Sequence, residues 1–337
     1  MSQTIEDTIR GYCTAQHDLN PKTVDEHRYR LGTFQSWAES EGIETVDALQ
    51  RHHAETYKSY LVAEKDWALT TVKNALYTLR KYYQWLETTG HVEPTVGIGE
   101  SVIVPELKKS DEARDTMIPH DEMVRIIEYL ANYKFASRTH IVVHILYHTG
   151  LRRSGLMALD VDDWNPDERT LTVEHRPHSG TSIKGGSDAS RVIGVTNDQL
   201  AHALDAWVTE QRPAVTDEYE RAPLIATSHG RMHYKSVSKL VYRATRPCKY
   251  GVECPWDRDE KECEATSSGG ETKCPGSVSA HPLRRSAITN HLRKDVDKDI
   301  VSDRMSVSLR TLETHYDART EKQKEESRRG HLKGRDL

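Results

Sequence analysis

The sequence predicts a mainly α protein of two domains, with one small β-hairpin set into the second. Three observations carry that prediction. Apolar residues recur at helical spacing through most of the 337-residue chain. The periodicity stops between residues 91 and 116, where Pro94, Gly97, Gly99 and Pro105 fall. Only two short β-branched runs, 170–176 and 191–196, interrupt the helical pattern beyond that break. At about 150 residues per domain the length accommodates two. The expected organisation is a helical domain over residues 1–90, a linker over 91–116, a mixed α/β domain over 117–320 and a charged tail over 321–337.

Each element follows from local signals. Asn20-Pro21 is a cap followed by proline at the first helical position, and Val24, Leu31, Phe34 and Ala38 then mark one face until Gly42. A second helix is expected over 46–64. A third runs over 70–89, with Val72, Ala75, Leu76, Leu79, Tyr82, Tyr83 and Leu86 on a stripe that ends before Gly90. Past the linker, helices are expected over 119–131 and 137–147, the latter burying Ile141, Ile145 and Leu146. The two β-branched runs flank HSGTSIKGGSDAS, which reads as a long flexible hairpin turn. Helices resume over 197–210 and 235–246, a cysteine-rich insert occupies 247–276, and helices return from Pro282. The tail after Arg319 has few apolar residues besides Leu332 and Leu337, so it cannot pack as a core helix and is expected to be mobile in the free protein.

Composition narrows the class. With 36% hydrophobic and 29% charged residues, the chain is polar but not depleted enough in apolar residues to be disordered. The longest apolar stretch, around 141–146, is broken by His144 and is far shorter than the roughly 20 residues a membrane helix needs. The N-terminus lacks the apolar run of a secretory signal, so a cytoplasmic protein with no membrane partner is expected. Net charge is −5, yet residues 281–337 hold 14 basic against 10 acidic side chains, which concentrates positive charge at one end.

Four motifs carry chemistry. In TGLRRSGL, Arg152 stands at the start of an apolar helix, where a guanidinium and a helix N-terminus can both face an anion. Lys184 sits in SIKGG, whose glycines let backbone approach another molecule closely. In SAHPLRRSAITNHL, His281 and Arg284 are three apart and share a helix face, a pairing suited to a phosphate and its proton transfers. Tyr316, in LETHYDART, offers a hydroxyl that serves as a nucleophile when cations stabilise its anion. Taken singly, each is equally what a solvated surface or a packed core would show.

Taken in order, Arg152, Lys184, His281 with Arg284, and Tyr316, which stands 32 positions after the second arginine, resemble the tyrosine recombinase (phage integrase) family and its archaeal Xer-like members. The resemblance covers about residues 115–319, and the N-terminal helices resemble the family's core-binding domain. It implies a site-specific DNA recombinase in which Arg152 and Arg284 clamp the scissile phosphate and Tyr316 attacks it to form a 3'-phosphotyrosyl bond. Lys184 would protonate the 5'-oxygen and His281 would assist proton transfer. Catalysis would need no cofactor. The implied partners are double-stranded DNA, held between the two domains, and further copies of the chain in a synaptic tetramer, on which the tail after Arg319 would order; the alternative is a solvated tail with no role. Gly155 stands where the family usually has an acid, and Val307 where it has His or Trp, with His315 the nearby residue that could substitute. The alternative reading is a DNA-binding protein of the same fold that has lost strand cleavage.

Cys248, Cys254, Cys263 and Cys274 are separated by 5, 8 and 10 residues, whereas Cys13 is remote. Four thiols in one loop of a cytosolic protein fit a structural zinc site, because four thiolates satisfy tetrahedral zinc and reducing conditions disfavour disulfides. The insert ends just before His281, so its expected role is to brace that helix or to add a DNA contact.

Overall fold

The structure is a computed structural model that describes residues 3–107 and 116–316, together with 320–322, 325, 326 and 329. The chain divides into two compact units, Met1–Asp115 and Thr116–Leu337.

The first unit is helical: α1 (Ile5–Ala15), α2 (Pro21–Ser40), α3 (His53–Ala63), α4 (Leu69–Thr88) and a short α5 (Ile98–Ser101). Asn20 caps α2 by accepting a 3.0 Å hydrogen bond from the Lys22 N–H, with Pro21 at the first helical position. Aromatic rings fill the core, where Phe34 packs edge-on against Tyr57 and Tyr83. The expected stripe on α4 is buried throughout. Three expectations need correction. Helix α1 is present although its Ile5, Ile9 and Tyr12 went unread as a stripe; it is fixed by the Thr4 cap and by a 2.6 Å hydrogen bond between Thr8 Oγ1 and the Tyr82 hydroxyl. The helix expected over 46–64 is split, because His53 Nδ1 accepts the Gln50 N–H and turns the chain between a 3-10 turn at Val46–Ala48 and α3. Residues 92–104 are not a free linker: Ile98 and Val102 are fully buried in this unit, and Arg80 donates two hydrogen bonds to the Val102 carbonyl.

The second unit is built around α7 (Arg138–Thr149), which packs against α6 (His120–Tyr133), α9 (Asp198–Ala206), α10 (Tyr234–Ala244) and α11 (Ala280–Arg293). Every residue from His140 to Tyr147 is buried, as a helix surrounded by others requires. A short α8 (Arg153–Ala158) follows it, and α12 (Lys298–Met305) follows α11. The strands β1 (Trp164–Asn165), β2 (Thr170–Val173) and β3 (Arg191–Gly194) form an antiparallel sheet in that order, with Leu171 opposite Ile193 and Val173 opposite Arg191. Leu171, Val173 and Ile193 enter the core. A further pair, β4 (Ala226–Thr227) with β5 (Gly230–Arg231), lay below what a β-branched run can signal.

The segment between β2 and β3 is not the flexible turn its glycines implied. Arg176 donates to the Asp163 carboxylate at 2.6 Å, and its backbone pairs with Thr181. Arg221 donates to the Ser179 carbonyl, to Thr181 Oγ1 and to Asp160, while Arg231 bridges Asp160 and Asp217. These charges are largely withdrawn from water, so each needs its partners in place. Among the described residues no helix is long and apolar enough to cross a membrane. The tail expected to order on assembly lies outside the described residues.

Helix α7 also carries His140, His144 and His148, one above another. Burial depresses them to about 4, about 3 and about 4 respectively. His140 Nδ1 accepts the Ala136 N–H, and His144 Nδ1 has no hydrogen-bond partner among the described residues. The unfolded chain therefore binds protons that the folded chain refuses, so the stability present above pH 6.5 is lost as pH falls toward about 4. Denaturant unfolding across this window should show falling midpoints, and His144→Gln, uncharged in both states, should give a shallower pH slope.

Candidate functional site

The site is assembled where α7 ends. Thr149 closes that helix by donating its hydroxyl to the Ile145 carbonyl, and Gly150 reverses the chain in the left-handed region at φ 62°. A side chain at 150 would collide with Met305, whose sulfur lies 2.6 Å from where a Cβ would stand, so glycine is required twice over. The reversal places Arg152 at the cap of α8, and its Nη1 donates a 2.6 Å hydrogen bond to the Ser306 carbonyl.

Arg284, on α11, is 1% exposed. It donates 2.6 Å and 3.5 Å hydrogen bonds to the carbonyls of Gly150 and Ser306. Two guanidiniums from separate elements thus converge on one backbone oxygen at the C-terminal end of α12, where unpaired carbonyls carry partial negative charge. Tyr316 closes the group. It lies on a π-helical turn, Leu312–Tyr316, and is 7% exposed, with its own carbonyl accepting a 3.0 Å hydrogen bond from Thr289 Oγ1. The Arg284 guanidinium stands 6.0 Å from the centre of the tyrosine ring, and the His281 ring is 6.1 Å from it.

The structure therefore brings Arg152, Arg284, His281 and Tyr316 together. Lys184 lies at the surface beside Gly185, within electrostatic reach of His281. A residue the sequence reading passed over joins them: Arg191, the first residue of β3, donates to the Arg304 carbonyl at 2.7 Å and to the Ala189 carbonyl at 2.7 Å. Its position at the start of RVIG gave no signal beyond that of an edge arginine. Burial first, and then the charge of Arg152, push both Arg191 and Arg284 down to about 10. His281 is lowered by lost hydration and then by Arg284, Arg285, Arg152 and Lys184, all of which favour its neutral imidazole.

The two positions that departed from the expected pattern are both packed. At Gly155 an added Cβ would meet Leu151 at 3.0 Å and Val173 at 3.6 Å, so a carboxylate there would enter an apolar layer. Val307 is 4% exposed; its N–H donates to the Ser302 carbonyl, and its carbonyl accepts the Ser302 hydroxyl at 2.6 Å. The side chain of His315 lies outside the described residues.

The cysteine insert is made of 3-10 turns at Pro247–Lys249, Glu264–Thr266 and Glu271–Lys273. Its four thiols are unbridged and line one cavity together with Trp256 and Pro275. Among the described residues, no group of three or more His, Cys, Asp or Glu side chains is arranged to hold a metal ion. The insert is anchored at its base, where the Val278 N–H donates to Thr245 Oγ1 at 3.0 Å. It reaches α6 through the Tyr250 hydroxyl, which donates to Glu122 at 2.5 Å, and it buries Glu271 against Arg243.

A helical unit, followed by a second unit that gathers two arginines, a histidine and a tyrosine, defines a protein of the tyrosine recombinase class. The chain belongs to the phage integrase family: the family model matches residues 116–321, and that of the phage integrase N-terminal SAM-like domain matches residues 11–90. It is 22% identical to tyrosine recombinase XerD of Oceanobacillus iheyensis over 68% of this chain and 72% of that one. It is 26% identical to tyrosine recombinase XerC of Xanthomonas campestris over 57% of this chain and 54% of that one. Its fold is similar to that of the Tn1549 transposon integrase in complex with a circular intermediate DNA, with a TM-score of 0.68 at 14% identity, covering 98% of this chain and 100% of that one. It is also similar to a lambda integrase dimer bound to a COC' core site, with a TM-score of 0.64 at 15% identity, covering 94% and 77%.

Three guanidiniums held this close repel one another until an anion arrives. Inorganic phosphate should therefore raise the melting temperature more than chloride does at equal ionic strength, and Arg152→Gln should lose most of that difference; thermal unfolding with each salt checks it.

Proposed function

We propose that this chain is a site-specific recombinase that cuts and rejoins DNA strands through a covalent bond to Tyr316. The observation that carries the reading is the convergence of Arg152 and Arg284 on the Ser306 carbonyl beside the Tyr316 ring. Fixed guanidinium forks stabilise a pentavalent phosphate best, because its extra negative charge develops where the donors already point. The Tyr316 oxygen attacks phosphorus and its proton passes to the neutral His281. The bond to the 5'-oxygen breaks, and Lys184 supplies that oxygen's proton. The 3'-phosphotyrosyl link keeps the energy of the broken bond, so a 5'-hydroxyl from another strand reverses the steps without a nucleotide or a catalytic metal.

Exchange between two DNA sites requires four cleavages, so the acting species is a tetramer of this chain on double-stranded DNA, in the cytoplasm. The archaeal Xer-like affinity rests on the motif spacings. A protein of this fold that binds without cleaving is not favoured, since Gly155 and Val307 are accommodated by packing while the tyrosine and both arginines remain together.

A suicide substrate, nicked so that the cleaved fragment diffuses away, tests the chemistry. Wild type should accumulate a covalent adduct. Tyr316→Phe should bind DNA as before and form none, while Arg152→Lys should lose cleavage by on the order of 100-fold, because an ammonium cannot reproduce the fork. An adduct that persists in Tyr316→Phe overturns the assignment.

For the insert the reading is one structural zinc held by Cys248, Cys254, Cys263 and Cys274. Its support is that the thiols of four separate segments line a single cavity, in a loop that has few packed side chains of its own. Metal analysis of chelator-free protein should give about one zinc per chain, lost on Cys254→Ser together with thermal stability. Zinc-free protein whose melting is indifferent to EDTA overturns it.

A further inference from the structure

We infer that Arg191 is a positioning residue that locks the Arg304–Ser306 turn and the Lys184 loop into one geometry. The proposal rests on the recombinase reading of the site and adds to it a residue that the four motifs do not contain.

The argument begins with what holds the Ser306 carbonyl. That oxygen receives both Arg152 and Arg284, so any drift of Ser306 moves both guanidiniums. Ser306 itself has φ 47°, in the left-handed region, where a residue with a side chain persists only if its surroundings hold it. Within its own segment the turn is held by the Ser306 N–H to the Asp303 carbonyl, the Val307 N–H to the Ser302 carbonyl and the Ser302 hydroxyl to the Val307 carbonyl. From across the fold comes Arg191, whose Nε donates to the Arg304 carbonyl two residues before Ser306.

The other arm of the same guanidinium makes the second connection. Arg191 Nη1 donates to the carbonyl of Ala189, the last residue of the 3-10 turn Gly186–Ala189, which follows directly on Lys184-Gly185. A planar fork with donors at fixed angles fits two carbonyls at once; a single ammonium does not. Arg191 thus joins two segments that lie over 100 residues apart in sequence and carry opposite ends of the proposed reaction, the lysine for the leaving oxygen and the seat of the phosphate clamp. Its net charge is secondary, because Arg152 and Arg284 already supply cations and a third one nearby opposes them.

Arg191→Lys keeps the charge and removes the fork. Expected first, in the free protein, is hydrogen exchange at the Ser306 and Val307 amides at least about tenfold faster than in wild type, with the core of α7 unchanged. Expected second, on the suicide substrate at saturating protein, is cleavage slower by on the order of 10- to 100-fold, as for a clamp out of place, with DNA affinity within about twofold. Expected third is sub-additivity: in an Arg152→Lys background, Arg191→Lys should cost much less than it does alone, since the group it positions has already been compromised. A merely stabilising residue would instead lower melting and act additively. Unchanged exchange at Ser306 and Val307 overturns the proposal whatever the cleavage rates, as does wild-type cleavage by Arg191→Lys. A wild-type protein that forms no adduct refutes the recombinase reading instead, and the exchange measurement still decides the role of Arg191.

Discussion

One backbone oxygen, the carbonyl of Ser306, organises the cationic site of the second unit. It lies just past the end of α12, where helix carbonyls have lost their own donors, and it accepts guanidinium protons from both α11 and the cap of α8. Arg284, which is buried, depends on such acceptors, since a buried guanidinium with unmet donors costs several kcal/mol. Gly150 provides the second oxygen and, by lacking a side chain, the space for Met305 beneath it. A helix end, a glycine and two cations are therefore interdependent, and a change in one is felt by the others.

Holding like charges together has an energetic cost that the rest of the unit offsets. The close packing of α7 against four neighbours makes α11 and the start of α8 rigid relative to each other. On the far side, Asp160 gathers arginines from the β2–β3 connection and from the β4–β5 region, so the loop that carries Lys184 hangs from a fixed frame. The acids of this frame, Asp160, Asp163 and Asp217, pair with Arg176, Arg221 and Arg231, so their charge is used for structure.

Much of this was legible in the sequence. The stripe on α4 and the antiparallel run pair were read because each buries one face with a period that no other conformation shares, whereas Ile141 and Ile145 revealed α7 although it is buried on every side. Arg152, His281, Arg284 and Tyr316 were found because their order and spacing form a pattern, and the fold brings them together. Arg191 was not found, since a guanidinium that reaches across the fold to a carbonyl leaves no local signature. The short α5 was missed because Pro94 and Gly97 read as loop, whereas Ile98 and Val102 behind them pack as core. Strands of two residues, such as β4 and β5, carry too few side chains to show any period.

The insert between α10 and α11 enters and leaves through one point, the mutual hydrogen bonds of Thr245 with Val278. The entropy of closing such a loop at its feet grows only slowly with its length. Beyond the feet, the Tyr250 hydroxyl on Glu122 and the buried Glu271 against Arg243 bond the same loop to α6 and α10. The insert is therefore a strut rather than an appendage: it ties α6 and α10 together beside the start of α11, so a change in its length is transmitted to the helices that flank Arg284.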